Sequence, residues 1–292
     1  MLRIGFTEAL PLHPNNISIG RGNPVRNHVT VTVFRYCIMT SMFKIVRLLI
    51  VALFLISLPP IYGRESGLGI LTYNIHHAEG TDGKIDYQRT AEVIKRLDPD
   101  IVALQEVDMK AGRTERVNQV ERLAELAGYD YFVFGRSMPF DGGEYGLAIM
   151  SRFPILRHET HPLPYRFGLE PRALLITEIE TGEIAGVITV ADTHLCHRSE
   201  ESRIDQVRKI NSLLLPMDNP VILAGDFNAV ESEDSMRLAW SRGWLDLSHP
   251  HSRIDYVLSR ESDGAKVISR KMIEDRVTSD HFPILVLLEF PG

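Results

Sequence analysis

Eight short apolar runs recur between residues 69 and 290, and this spacing restricts the chain to folds built around many short strands. They are "GILTYNI" (69–75), "DIVALQEV" (100–107), "GLAIMS" (146–151), "ALLITEIE" (173–180), "AGVITVADTHL" (185–195), "VILAGDF" (221–227), "RIDYVLS" (253–259) and "FPILVLLEF" (282–290). Several are apolar throughout, as strands are when both faces are covered. Between them, 86–99, 118–128 and 199–216 have helical spacing. In the last, Ile204, Val207, Ile210 and Leu214 fall on one face, Ser199 is placed to cap the start and Pro216 ends the run. Hairpin-like and helix-linked strands together predict an α/β sandwich of two packed sheets with helices outside. No linker divides 64–292, so one domain is expected there.

Nearly every run ends in a polar side chain that is costly to bury unless something pairs with it. Asn74 closes the first, Gln105 and Glu106 the second, and Asp192 with His194 the fifth. Asp226 and Asn228 follow the sixth, Asp255 opens the core of the seventh, and Asp280 with His281 precedes the eighth. Taken singly, each reads as a turn residue, a cap or a satisfied core group. Jointly they offer carboxylates, amides and imidazoles, a donor set suited to Mg²⁺ or Mn²⁺ and to phosphate contact. Strand ends are where several segments converge on one binding point. Zinc is not favoured: no His-x-x-x-His or paired-Cys spacing is present, and alternation through "THLCH" sends His194 and Cys196 to one face and His197 to the other.

Residues 1–63 read differently. Lys44 and Arg47 precede the 11 apolar residues from Leu48 to Leu58, and Pro59, Pro60 and "IYG" follow. This is a secretory pattern, too short for a comfortable membrane span. Export is expected, periplasmic or secreted, with an uncleaved anchor through 45–60 as the alternative. Met39 and Met42 lie just upstream, which makes 1–38 a disordered leader or a mis-called start. Setting aside the six Lys/Arg and one acid of 1–63 leaves 26 basic and 37 acidic residues, a net of −11. Such a field repels phosphate backbones, so a nucleic-acid partner is not favoured. Of the two cysteines, Cys37 falls in the leader and Cys196 stands alone, so the 64–292 domain has no internal disulfide.

In order along the chain, "LTYNI", "DIVALQEVD", "GLAIMSRFPI", "VADTHL", "GDFNA", "RIDYVL" and "SDHFPI" together resemble the endonuclease/exonuclease/phosphatase family with its deoxyribonuclease-I-like fold. The resemblance covers about 69–290. It implies a four-layered α/β sandwich and a divalent-metal-dependent phosphoesterase acting on nucleic acids, phospholipids, inositol phosphates or other phosphate esters. It also implies roles: Glu106 as principal metal ligand with Asn74 beside it and Asp280 completing that side, Asp226 orienting or deprotonating the attacking water, and Asn228 holding water or phosphate. Asp255 would fix His281 and keep it cationic, with His194 the second imidazole. Arg172 and Arg113 are candidates for substrate contact, and Glu144 for orienting His194. Family members carry a longer polar and aromatic stretch before the "RIDY" strand, where only "WLDLSHPHS" (244–252) stands here. The shorter loop points to a phosphodiester or small phosphorylated substrate, with a nuclease or a phospholipase- or sphingomyelinase-like enzyme as alternatives. A membrane partner would come only through the leader or a lipid substrate. In the lipid-active case Trp240 and Trp244 would touch the interface; packed core is the expected place for both. A non-catalytic binding module is the remaining class. Oligomeric state has no signal.

Overall fold

A computed structural model of the chain describes residues 67–291. All eight apolar runs form strands: β1 (Leu68–Asn74), β2 (Ile101–Met109), β4 (Gly143–Ser151), β6 (Ala173–Glu180), β7 (Val187–His194), β8 (Val221–Asp226), β10 (Asp255–Arg260) and β12 (Ile284–Glu289). Four more strands carry no strong apolar signal: β3 (Tyr131–Phe140), β5 (Ile155–Pro162), β9 (Trp244–Asp246) and β11 (Lys266–Met272). The helical stretches are α1 (Tyr87–Leu97), α2 (Gln119–Ala127) and α3 (Glu200–Leu214), and a short α4 (Asp234–Trp240) joins them. Side chains of Asp86, Asn118 and Ser199 accept the backbone N–H of Arg89, Glu121 and Ser202, satisfying one orphan donor at each helix start. The expected leader and anchor lie outside the described residues, among which no helix is long and apolar enough to cross a membrane.

The strands make two mixed six-stranded sheets, ordered β11-β12-β1-β2-β4-β3 and β5-β6-β7-β8-β10-β9. One apolar cluster fills the space between them, with Ile70, Ile101, Ala103 and Ile149 facing Leu175, Val190, Ile222 and Val257. On the outer face of the first sheet, Ile94, Leu97, Leu123 and Ala124 of α1 and α2 pack against Leu71, Val102 and Met150. On the second, Val207, Ile210 and Leu214 of α3 and Met236 of α4 cover Ala191, Leu223 and Leu258. The result is the expected four-layered sandwich. Trp244 lies in this outer cluster, its Nε1 donating to Asn211 Oδ1 at 2.8 Å, and Trp240 packs against its rim beside Tyr256. Both tryptophans are therefore packing residues.

Each sheet contains one parallel pair, β1 with β2 and β7 with β8, each made by a crossover through a helix. Beneath the ends of these pairs, Gln105 Nε2 from the first sheet donates to Asp192 Oδ1 of the second at 2.7 Å. Burial holds the Asp192 carboxyl well above the usual range, against the opposing Gln105 bond, and the pair ties the two sheets together beneath the site.

Candidate active site

The carboxyl ends of the two parallel pairs meet. Asn74 stands opposite Gln105 in the first sheet, and His194 opposite Asp226 in the second. Register alone would turn Glu106 away from its neighbours, but β2 carries a bulge there: Gln105 pairs with Leu147 and Val107 with Gly146, leaving Glu106 unpaired with φ of 60°. A bulge re-aims one side chain, and this one brings Glu106 into the cleft. Opposite it, Gly146 admits no side chain, since a Cβ would lie 2.0 Å from Gly135 O. On the second sheet, Asp255 sits directly across from Asp226. His281 enters from the segment that leads into β12, its N–H held by Ser279 Oγ, which itself donates to Asn74 O.

These groups form one hydrogen-bonded set around Asp226. Asn74 Nδ2 donates to Glu106 Oε1 at 3.0 Å and to Asp226 Oδ2 at 3.1 Å. Asn228, in the left-handed region at φ 48°, gives its backbone N–H to Asp226 Oδ1 at 2.8 Å. His194 Nε2 lies 3.4 Å and His281 Nε2 3.7 Å from Asp226 Oδ2. Burial, reinforced by the Asp255 charge, raises the Asp226 carboxyl to about 7. Burial disfavours charge on His281 as well. The hydrogen bond to Asp255 (2.9 Å from Nδ1 to Oδ2) and the negative charges of Asp255, Asp226 and Asp280 outweigh it, raising the ring to about 9. His194 goes the other way: burial and the charges of Arg172 and His281 hold it well below the ordinary value. Arg172 Nη1 donates to His194 Nδ1 at 3.1 Å, which fixes the ring as the Nε2–H tautomer facing Asp226. At neutral pH the centre thus holds a carboxyl near its midpoint, a cationic imidazole and a neutral one.

The set opens into a cavity of about 340 Å³ lined by Glu106, Arg172, His194, Asp226, Asn228 and His281, with an apolar wall of Met138, Phe140 and Tyr145. Arg113 stacks 4.4 Å over Phe140 and grips Asp108 through Nε and Nη2 at 2.7 and 2.8 Å. Arg172, 3% exposed, also pairs with Glu170 at 3.0 Å and donates to His197 Nδ1 at 3.3 Å. Both arginines reach the cavity with their charge already matched by an acid. Asp280 is exposed and lines a neighbouring cavity beside Asp255 and His281.

Two expectations are corrected. Glu144 pairs with Arg136 at 3.2 Å on the sheet surface, and Arg172, not Glu144, orients His194. His197 does not face away from His194, because β7 ends at His194 and the chain turns, bringing both rings to Arg172. Glu170 and the aromatic wall join the site without having stood out as candidates in the sequence, and His197 joins it after being weighed there only as a zinc ligand. For Glu170 the available signal is "EPR", which places it two residues before Arg172.

The donor chemistry fits a divalent cation. Glu106 and Asp226 present two carboxylates to one amide, Asn74, and backbone strain at Glu106 keeps its side chain turned into the cleft.

Comparison with known proteins agrees with this geometry. The pattern of the endonuclease/exonuclease/phosphatase family matches residues 71–281. The uncharacterized protein YbhP of Escherichia coli (strain K12) is 29% identical over 170 residues, taking in 54% of this chain and 66% of YbhP, so the chain spans just under two thirds of that relative. An endonuclease/exonuclease/phosphatase from Beutenbergia cavernae DSM 12333 superimposes with a TM-score of 0.67 at 27% identity, covering 78% of this chain and 72% of that one. The mannosyl-6-phosphatase of Bacteroides thetaiotaomicron VPI-5482 shares the fold, with a TM-score of 0.62 at 23% identity over 76% of this chain and 100% of its own. The family match takes in the carboxyl ends of both parallel pairs and every group gathered around Asp226, and the chain accordingly belongs to the endonuclease/exonuclease/phosphatase family.

Proposed function

We propose that this protein hydrolyses a phosphodiester or a small phosphorylated substrate by in-line attack of water, with Mg²⁺ or Mn²⁺ held by Glu106 and Asn74. The observation that carries the reading is Asp226: a buried carboxyl raised to about 7, within reach of two imidazoles of opposite protonation. In its ionised form Asp226 takes a proton from the attacking water, a role worth ~10²–10⁴ in rate. Asn228 and Asn74 each donate to one oxygen of the carboxylate and hold it at the cavity wall. The cationic ring of His281 places an Nε2–H where charge develops on the non-bridging phosphoryl oxygens. His194, neutral and with its proton on Nε2, donates to the phosphate or to the departing ester oxygen. A divalent cation held by Glu106 and Asn74 would supply charge neutralisation and Lewis acidity toward the phosphoryl oxygen.

A cavity of about 340 Å³ with one aromatic wall accommodates a compact organic phosphate. The solved relative described as a mannosyl-6-phosphatase supports that size class. The acidic body supports it from the other side, since duplex binding needs a basic face.

The test is a panel of bis-(p-nitrophenyl) phosphate, p-nitrophenyl phosphate, sugar phosphates, inositol phosphates, phospholipids, RNA and plasmid DNA, with Mg²⁺, Mn²⁺ or EDTA. Metal-dependent release from a small phosphate ester, lost in Glu106→Ala and Asp226→Ala, is expected. Preferential, salt-sensitive cleavage of DNA would replace the small-substrate reading with a nuclease. Activity retained in either variant would refute the assigned roles. Export through the leader belongs to the same proposal; N-terminal sequencing should find a start near residue 64 outside the cytoplasm, and an intact chain inside it would refute export.

A further inference from the structure

Beside Glu106 stand two imidazoles, His76 and His77, that the proposed hydrolysis does not use. One ligand atom each from His76, His77 and Glu106 lies within 4.8 Å of the others. We propose that these residues form a cation site of their own, with transition-metal preference, sharing Glu106 with the catalytic centre.

The hydrogen bonding of the two rings supports the assignment. His76 Nδ1 faces Glu79 O at 3.0 Å, and a carbonyl only accepts, so the proton is on Nδ1 and the lone pair on Nε2. His77 Nε2 faces Glu79 Oε2 at 3.0 Å, so its proton is on Nε2 and its lone pair on Nδ1. That Nδ1 is buried and has no hydrogen-bond partner, in a residue only 4% exposed. Metal-binding histidines characteristically give their other N–H to a carboxylate or a backbone carbonyl, and Glu79 provides one of each. Glu106 Oε1 is taken by Asn74, which leaves Oε2 for a ligand.

Backbone strain points the same way. His76, His77 and Ala78 have φ of 47°, 45° and 62°, a left-handed turn of three residues that are not glycine. The turn is held by its surroundings: Asn74 Oδ1 accepts His76 N, Gln119 Nε2 donates to His77 O, and Glu79 bridges to Ile85. Strain that persists under such restraint marks a functional constraint, here the presentation of adjacent imidazoles on one side. The nearby Arg113 charge is matched by Asp108. Two imidazoles and one carboxylate suit Mn²⁺, Zn²⁺ or Fe²⁺ and discriminate against Mg²⁺, which prefers oxygen.

The site does not depend on the phosphoesterase reading, although the two share Glu106. The test uses the full chain loaded with Mn²⁺ or Zn²⁺ alone. Electron spin-echo envelope modulation of bound Mn²⁺ should show ¹⁴N coupling from imidazole. His76→Gln/His77→Asn should lose it, and equilibrium dialysis should show one equivalent less Zn²⁺ with Mg²⁺ unchanged. Should the double variant fail to fold, Glu79→Ala keeps both rings and removes the carboxylate behind His77, and should weaken Zn²⁺ at this site ~10–100-fold. Wild-type Mn²⁺ without ¹⁴N coupling, or coupling and Zn²⁺ affinity unchanged in the variants, overturns the proposal. Asp226→Asn separates the two readings: it should lower kcat ~10²–10⁴-fold and leave the nitrogen coupling intact.

Discussion

Replacing Asp255 by Asn should shift the pH optimum of the enzyme toward acid, not merely lower its activity. The His281 ring rises from an ordinary 6.5 to about 9, which at 1.36 kcal/mol per tenfold change is a preference of about 3 kcal/mol for the charged form. The ring is only 16% exposed, so solvent screens little of this. Asparagine keeps a hydrogen-bonding group of the same shape and removes the charge. With its pKa back near 6.5 or below, the ring would be about 3% charged at pH 8 instead of about 90%, a loss of roughly thirtyfold. At pH 6.5 the loss is only about twofold. The acid limb moves too, because the Asp255 charge is the second cause, after burial, of the raised Asp226 carboxyl. A profile of kcat/KM from pH 5 to 10, on whichever ester the panel identifies, should show limbs near 7 and 9 in the wild type and both displaced downward in the variant. A uniform loss at every pH, with the alkaline limb still near 9, would refute the assignment of His281 as the cation set by Asp255. The sign for stability is fixed by the same shift: the raised His281 contributes stability fully present below about 6.5 and lost as pH rises through about 9. The urea midpoint should therefore fall over that window in the wild type and less in Asp255→Asn.

Asp226→Asn should lower kcat ~10²–10⁴-fold while leaving Tm at pH 8 equal to or above the wild type's, because a carboxyl raised to about 7 makes its ionised form a liability in the folded state above that pH; a lower Tm would show that its charge is structural. Gly225→Ala should prevent proper pairing of β7 with β8, since a Cβ would lie 2.1 Å from Thr193 O at a φ of +151°, and loss of soluble, folded protein is the readout. Glu144→Ala should leave kcat/KM within twofold, the Arg136 pair being exposed, whereas Glu170→Ala, beside Arg172, should change it by more. Trp244→Phe should cost about 1–3 kcal/mol in urea unfolding by leaving buried Asn211 without its donor.

The division between what the sequence reveals and what it conceals runs along the sheet edges. Every interior strand is legible, because coverage on both faces demands unbroken apolar runs such as those of β1, β6 and β8. The four that escape, β3, β5, β9 and β11, are the outermost strands of their sheets. In β5 and β11 most side chains are exposed, so neither a run nor a clean alternation marks them. The catalytic polar groups are readable because each interrupts or terminates an apolar run. How they meet is not: Arg172 gathers His194 and His197 across the turn after β7, and Glu106 reaches the cleft through a bulge, neither of which has a local pattern. His76 and His77 stay hidden because a left-handed turn of ordinary residues has no propensity signature.

Asn74 and Glu106 belong to one sheet, His194, Asp226 and Asp255 to the other. Neither sheet can hold a partial version of the chemistry, so turnover acts as a gauge of the spacing between two layers. The bond from Asn74 to Asp226, 3.1 Å across the gap, sets its tolerance. A slip of one layer over the other by a single ångström would silence the enzyme long before either sheet lost a strand. Heating should accordingly abolish catalysis below the temperature at which circular dichroism records unfolding, and a core substitution at Ile70 or Val190, far from any reacting atom, should widen that interval.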